Sequence, residues 1–205
     1  PPMFIDAGDW LNHKHSEHPL DDFLRQPMLP RRLTESGPGV AFVDWDLDGR
    51  DELFFGNGAG GKLVGYKVAA DGRLAKLSEP AFNLPLAGDV LGLGADRQGL
   101  LAAVSAHDSP ELIAPTLQRF RPGASEPETI ELPSANHSDV GSIAVAYVDS
   151  DDYLDVFVAG RGIPSKYPQS ASSWLLSGGP GGLKLDAGQS ALFSNIGLVS
   201  AAVFV

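Results

Sequence analysis

At 205 residues, 43% apolar and 20% charged, the chain can form one large all-β domain or two small ones, and its composition excludes a disordered tail. A formal net charge of −11 opposes binding to a phosphate backbone or an anionic membrane face, and the absence of cysteine excludes disulfides and thiolate metal sites. No apolar run approaches the roughly 18 residues of a membrane span, and the chain opens Pro1-Pro2-Met3 without a signal peptide, so for an exported protein that segment is expected to have been removed or omitted.

Residues 1–38 read as a polar lead-in. His13, His15 and His18 cluster there, either as transition-metal ligands or as solvated and core-capping imidazoles, and Leu20, Phe23 and Leu24 give Pro19 to Gln26 the pattern of a helical turn. From residue 39 the 24 glycines and 16 prolines punctuate short apolar runs, the signature of many short strands joined by turns. A first unit, 39–87, predicts strands near 39–45, 52–57, 62–69 and 73–78, with Asp71-Gly72 as a hairpin turn. A second, 88–138, predicts strands at 89–94, 100–105, 116–121 and 128–132. A third, 139–194, predicts them at 142–148, 154–159, 172–177 and 183–187, the last pair joined through Gly178-Gly179-Pro180-Gly181-Gly182. A fourth begins at 195–205 with the apolar run Leu198 to Val205. Asp44, Ala95 and Asp149 hold equivalent places, 51 and 54 residues apart, and a period of 40 to 60 with four strands per unit predicts a β-propeller, here a partial one.

The acids are unevenly placed. Five of the 26 fall within Asp44 to Glu52 and four within Asp149 to Asp155, a crowding that a cation would relieve. The first turn reads Asp44-x-Asp46-x-Asp48-Gly49-x-x-Glu52, hard oxygen ligands on a tightly curled loop that suit calcium, with Asp44, Asp46, Asp48, Arg50 and Glu52 as the candidate set. An EF-hand would need a glutamate at loop position twelve and flanking helices, whereas Phe55 stands there and strands flank the loop. The third turn, with Asp149, Asp151, Asp152 and Asp155 as candidates, is about two residues shorter and has no glycine; solvated turn acids are the competing reading for both loops. The second, Ala95-Asp96-Arg97-Gln98-Gly99, has lost the ligand set.

The loop-and-strand unit over residues 39–205 resembles the FG-GAP/VCBS repeat of integrin α-subunit propellers and many bacterial surface proteins. The lead-in, through His15-Ser16-Glu17, Asp21-Asp22-Phe23, Gln26 to Pro30 and Gly37-Pro38-Gly39, resembles that of bacterial VCBS-repeat proteins related to cartilage acidic protein, which often end in an ASPIC/UnbV domain; Ser165 to Leu176 and Gly197 to Ser200 resemble their later units. This resemblance implies a seven-bladed or similar propeller with calcium in its loops, exported to the cell surface or periplasm. Three units and the start of a fourth cannot close a ring, so the expectation is a longer chain that continues into a further acidic turn, or other polypeptide covering the open face.

Several motifs compete with that reading. Gly56-Asn57-Gly58-Ala59-Gly60-Gly61 matches a dinucleotide fingerprint, but the strand pattern after it predicts a hairpin turn. His107-Asp108-Ser109 holds triad residue types in consecutive positions, where extended-chain side chains diverge. Paired carboxylates for glycoside hydrolysis have no short signature, and Tyr66, Tyr153, Tyr167 and Trp174 can stack on sugars or pack between blades. The expected function is therefore a calcium-rigidified extracytoplasmic scaffold for a protein or glycan partner, or for remaining blades of the same or another chain; a propeller-based lyase or hydrolase and a purely structural surface protein are the alternatives.

Overall fold

The computed structural model describes residues 3, 8–70, 72–107, 116–133 and 138–205. Asp71 of the first predicted hairpin and Asp108 and Ser109 of the triad-like run lie outside them. The fold is mostly β, built from three four-stranded antiparallel sheets in which each strand pairs with the next in sequence. The first holds β1 (Val40–Val43), β2 (Glu52–Phe55), β3 (Val64–Val68) and β4 (Leu74–Lys76). β5 (Val90–Asp96), β6 (Gly99–Val104), β7 (Thr116–Phe120) and β8 (Glu128–Glu131) form the second. The third contains β9 (Asp139–Ala146), β10 (Asp155–Gly162), β11 (Trp174–Ser177) and β12 (Lys184–Leu185).

Period-two alternation dictates how the sheets stack. All of β6 is buried because its two faces enter different cores. Leu100, Ala102 and Val104 join Trp45, Phe54, Leu63 and Phe82 against the first sheet. Leu101 and Ala103 join Val140, Val156, Val158 and Trp174 against the third. An edge-on Trp45–Phe54 pair at 5.7 Å and a Phe54–Phe82 pair at 6.0 Å fill the first of these cores. Trp174 and Tyr66, both read as either sugar-stacking or packing residues, are buried in sheet faces.

The opening strands β1, β5 and β9 lie side by side. A Cβ on Gly92 would sit 2.7 Å from the Gly141 oxygen and 2.8 Å from the Ile143 nitrogen, so a glycine is required where β5 meets β9. Gly94 similarly faces Val145, so β5 and β9 run in the same direction. The start of β1 likewise meets the start of β5, where the Gly39 N–H donates to the Val90 carbonyl at 3.0 Å, so the starts of the three strands gather at one end of the molecule and the turns that follow them at the other.

Among the described residues α-helices are few and short: α1 (Gly8–Leu11), α2 (Asp22–Arg25) and α3 (Ala187–Leu192). The helical turn expected at 19–26 is α2, with the Asp21 carboxylate accepting from the Phe23 N–H at 3.0 Å. α3 was not legible in its composition; Asp186 caps it by accepting from the Gln189 N–H at 2.9 Å. No helix among the described residues is long and apolar enough to cross a membrane. Residues 198–205 carry no strand; the Val199 N–H donates to Gly160 at 3.0 Å, and Ala171 bridges Gly197.

Candidate metal centre

The first acidic turn joins β1 to β2. Three carboxylates organise its backbone: Asp44 accepts from the Asp48 N–H at 3.0 Å and from the Gly49 N–H at 2.9 Å. Asp46 accepts from Asp48 at 3.2 Å, and Asp48 accepts from Arg50 at 3.0 Å. Gly49 has a φ of +86°, where a side chain would be strained. The curl brings one oxygen each of Asp44, Asp46 and Asp48 within 4.8 Å of one another, and this is the only such group of three or more acids or histidines among the described residues.

Glu52 is the first residue of β2 and is fully buried, with neither carboxylate oxygen hydrogen-bonded. Burial, followed by repulsion from Asp46, pushes its carboxyl above the ordinary 4.5. The Lys67 ammonium and the Trp45 backbone amide pull the other way without overcoming it, and neither reaches hydrogen-bonding geometry to Glu52. A buried carboxylate with no donors is costly unless a cation or a proton neutralises it. The Arg50 side chain is itself a cation, so of this residue only the backbone carbonyl has the chemistry of a metal ligand.

Lys67 is the residue the sequence did not flag. It lies on β3, and its ammonium reaches Asp48, Asp46 at 3.2 Å and Glu52 at 3.9 Å. Hydrogen bonding to Asp48 and then Asp46 raises the Lys67 pKa, and the Lys67 bond holds the Asp48 carboxyl below the usual carboxylate value. Its side chain is one-third exposed, so solvent screens these pairs and leaves the lysine free to swing outward. The only sequence signal for it was a lysine on the strand facing the loop.

The third turn is built differently. Asp149 accepts from the Asp151 N–H at 2.9 Å, and Asp151 from the Tyr153 N–H at 2.8 Å; Asp152 is exposed. Asp155, the first residue of β10, is buried like Glu52, but both its oxygens are used: Val148 and Gly178 N–H each donate to it at 2.9 Å. The four acids do not converge on one point. In the second turn the buried Arg119 guanidinium pairs with Asp96 at 2.5 Å and with Glu128 at 2.9 Å.

The histidines do not assemble a site. His13 stacks on Phe55 at 4.6 Å and covers the outer face of the first sheet, where burial, then His15 and Lys76, lower its pKa. His15 hydrogen-bonds Glu17, and His18 is exposed. The Gly56–Gly61 segment leads into β3, not into a helix. His107, from the triad-like run, bonds instead to the buried Asp22 at 2.9 Å. Burial pushes the Asp22 carboxyl up, but the Thr34 and Leu33 N–H groups and His107 outweigh it and hold it low. No family model matches the chain, and no curated protein matches it in sequence.

Proposed function

We propose that the chain is part of a calcium-stiffened β-propeller of the FG-GAP/VCBS type, acting outside the cytoplasm as a scaffold for a protein or glycan partner or for further blades. Its three meander sheets would be successive blades, with β1, β5 and β9 as the innermost strands. One observation carries the calcium reading: Glu52 is fully buried with two unpartnered oxygens beside the converging Asp44, Asp46 and Asp48. Calcium prefers six to eight oxygen ligands, and those four carboxylates with the Arg50 carbonyl supply the protein's share. The ion would offset the mutual repulsion of the acids and tie the loop to β2. A stiff loop loses less entropy when a partner docks on it.

Lys67 supports a second reading, in which its ammonium is the permanent counter-ion and the turn needs no metal. Thermal unfolding in calcium and in EGTA separates them. At free calcium about a hundredfold above Kd, one site stabilises by about 2.7 kcal/mol. For a chain of this size that is a rise in Tm of about 5–10 °C. Asp46→Ala should remove most of the rise, and an unchanged wild-type Tm would leave Lys67 as the counter-ion.

A further inference from the structure

At the end of the molecule opposite the acidic turns, a cavity of about 320 Å³ opens between the lead-in, the start of β5, the start of β9 and residues 198–200. That volume is at the small-molecule end of ligand pockets. In a chain of net charge −11, the described residues of its wall include three arginines, Arg31, Arg32 and Arg161, and no acid. Ser36, Ser142 and Ser200 add hydroxyls. Ser142 Oγ is buried without a hydrogen-bond partner.

The arginines are not equivalent. Arg161 is the fixed one: its side chain is 14% exposed, its Nε lies 3.6 Å from Asp139, and it donates to the Leu33 carbonyl. Asp139 is itself held by Ser105 Oγ and the Ala106 N–H, each at 2.8 Å, so the guanidinium is anchored to a buried network before any ligand arrives. Arg32 shares its charge with Glu35 at 3.1 Å at the rim. Arg31 is exposed and makes no ion pair among the described residues, which leaves one uncompensated cation over the cavity. The acidic turns are roughly 20 Å away along β9, counting about 3.3 Å per residue. That is beyond the Debye length of about 8 Å at physiological salt, so their repulsion of an anion at this end is screened.

We propose that this cavity binds the oxyanion of a small molecule, a carboxylate or a phosphate ester. Arg161 offers its remaining Nη1 from a guanidinium already held by Asp139 and Leu33, Arg31 closes over the charge, and the serines bond neighbouring hydroxyls. None of the lining residues belongs to the 44–52 loop, so the proposal stands or falls independently of calcium.

Calorimetric titration of the intact chain with glucuronate, glucose 6-phosphate and glucose, at fixed ionic strength, tests it. One or both anions should bind and glucose should not; which anion binds separates a carboxylate ligand from a phosphate one. Arg31→Gln should weaken binding about tenfold, the loss of one charge-assisted hydrogen bond. Arg161→Lys should weaken it similarly without a change in Tm large enough to signal unfolding; should that variant not fold, Arg31→Gln decides alone. Absence of heat from both anions at about 10 mM overturns the proposal. So does glucose binding as well as the anions, or anion binding indifferent to Arg31→Gln.

Discussion

Glu52 and Asp155 occupy the same place in two sheets, the first residue of the second strand after an acidic turn, and both are buried. Their chemistry is opposite. Asp155 accepts from Val148 and Gly178 and so serves the backbone, closing its turn onto β10 and the end of β11. Glu52 accepts from nothing, and its charge is left for Lys67 or a cation to neutralise. One methylene separates the residue types. Of these two buried acids, only Glu52 keeps both oxygens unused by the local amides and so open to a ligand.

The largest effect that can break this comparison is at Asp155. Asp155→Ala strands two amide donors, at a cost of about 2–4 kcal/mol, and denaturant unfolding should show the same loss in calcium and in EGTA. A loss confined to calcium would make the third turn a metal site and erase the contrast. Glu52→Gln should do the reverse. It should abolish the calcium-induced rise in Tm while leaving stability in EGTA equal to or above that of the wild type, because a neutral amide replaces a buried charge.

The pH dependence sharpens the same point. The raised Glu52 carboxyl holds its proton more tightly folded than unfolded. In EGTA its contribution to stability is therefore full below the ordinary 4.5 and is lost as pH rises from there through the folded value. The difference in Tm between wild type and Glu52→Gln, followed upward from that pH, should move in favour of the variant; a flat difference would mean that Glu52 ionises without penalty. Lys67→Met should lower Tm in EGTA and tighten calcium binding by removing the competing ammonium, a pair of opposite shifts that calorimetry reads directly. The smallest change is expected at the exposed Asp151, where Asp151→Ala should shift stability by well under 1 kcal/mol in either condition.

Much of the fold was legible in the residues. Strands such as Val90–Asp96 and Asp155–Gly162 are bounded by turn chemistry and rich in small and β-branched residues, and each formed close to its expected span. α3 was hidden because Ala187 to Leu192 has neither a strong apolar stripe nor a long run; its capping aspartate is its clearest signal. At the candidate metal centre the spacing of Asp44, Asp46 and Asp48 was readable, since they lie within five positions. Lys67 was not, because its approach depends on β3 pairing back onto β2 in the register that sets Leu53 opposite Tyr66. The Asp22–His107 bond, 85 positions apart, arises from packing of the lead-in against the residues that follow β6, and the Arg161–Asp139 pair from the register of β10 on β9, neither of which a local pattern encodes.

β6 has no side that faces water, and this makes the middle sheet a fixed address and not a movable module. Leu100, Ala102 and Val104 are committed to one neighbour and Leu101 and Ala103 to the other. A rearranged gene that placed the second unit at an end of the array would lay bare one of these apolar rows. The three sheets, similar as they are in plan, are therefore not interchangeable: the order in which they are encoded keeps both of these apolar rows away from water.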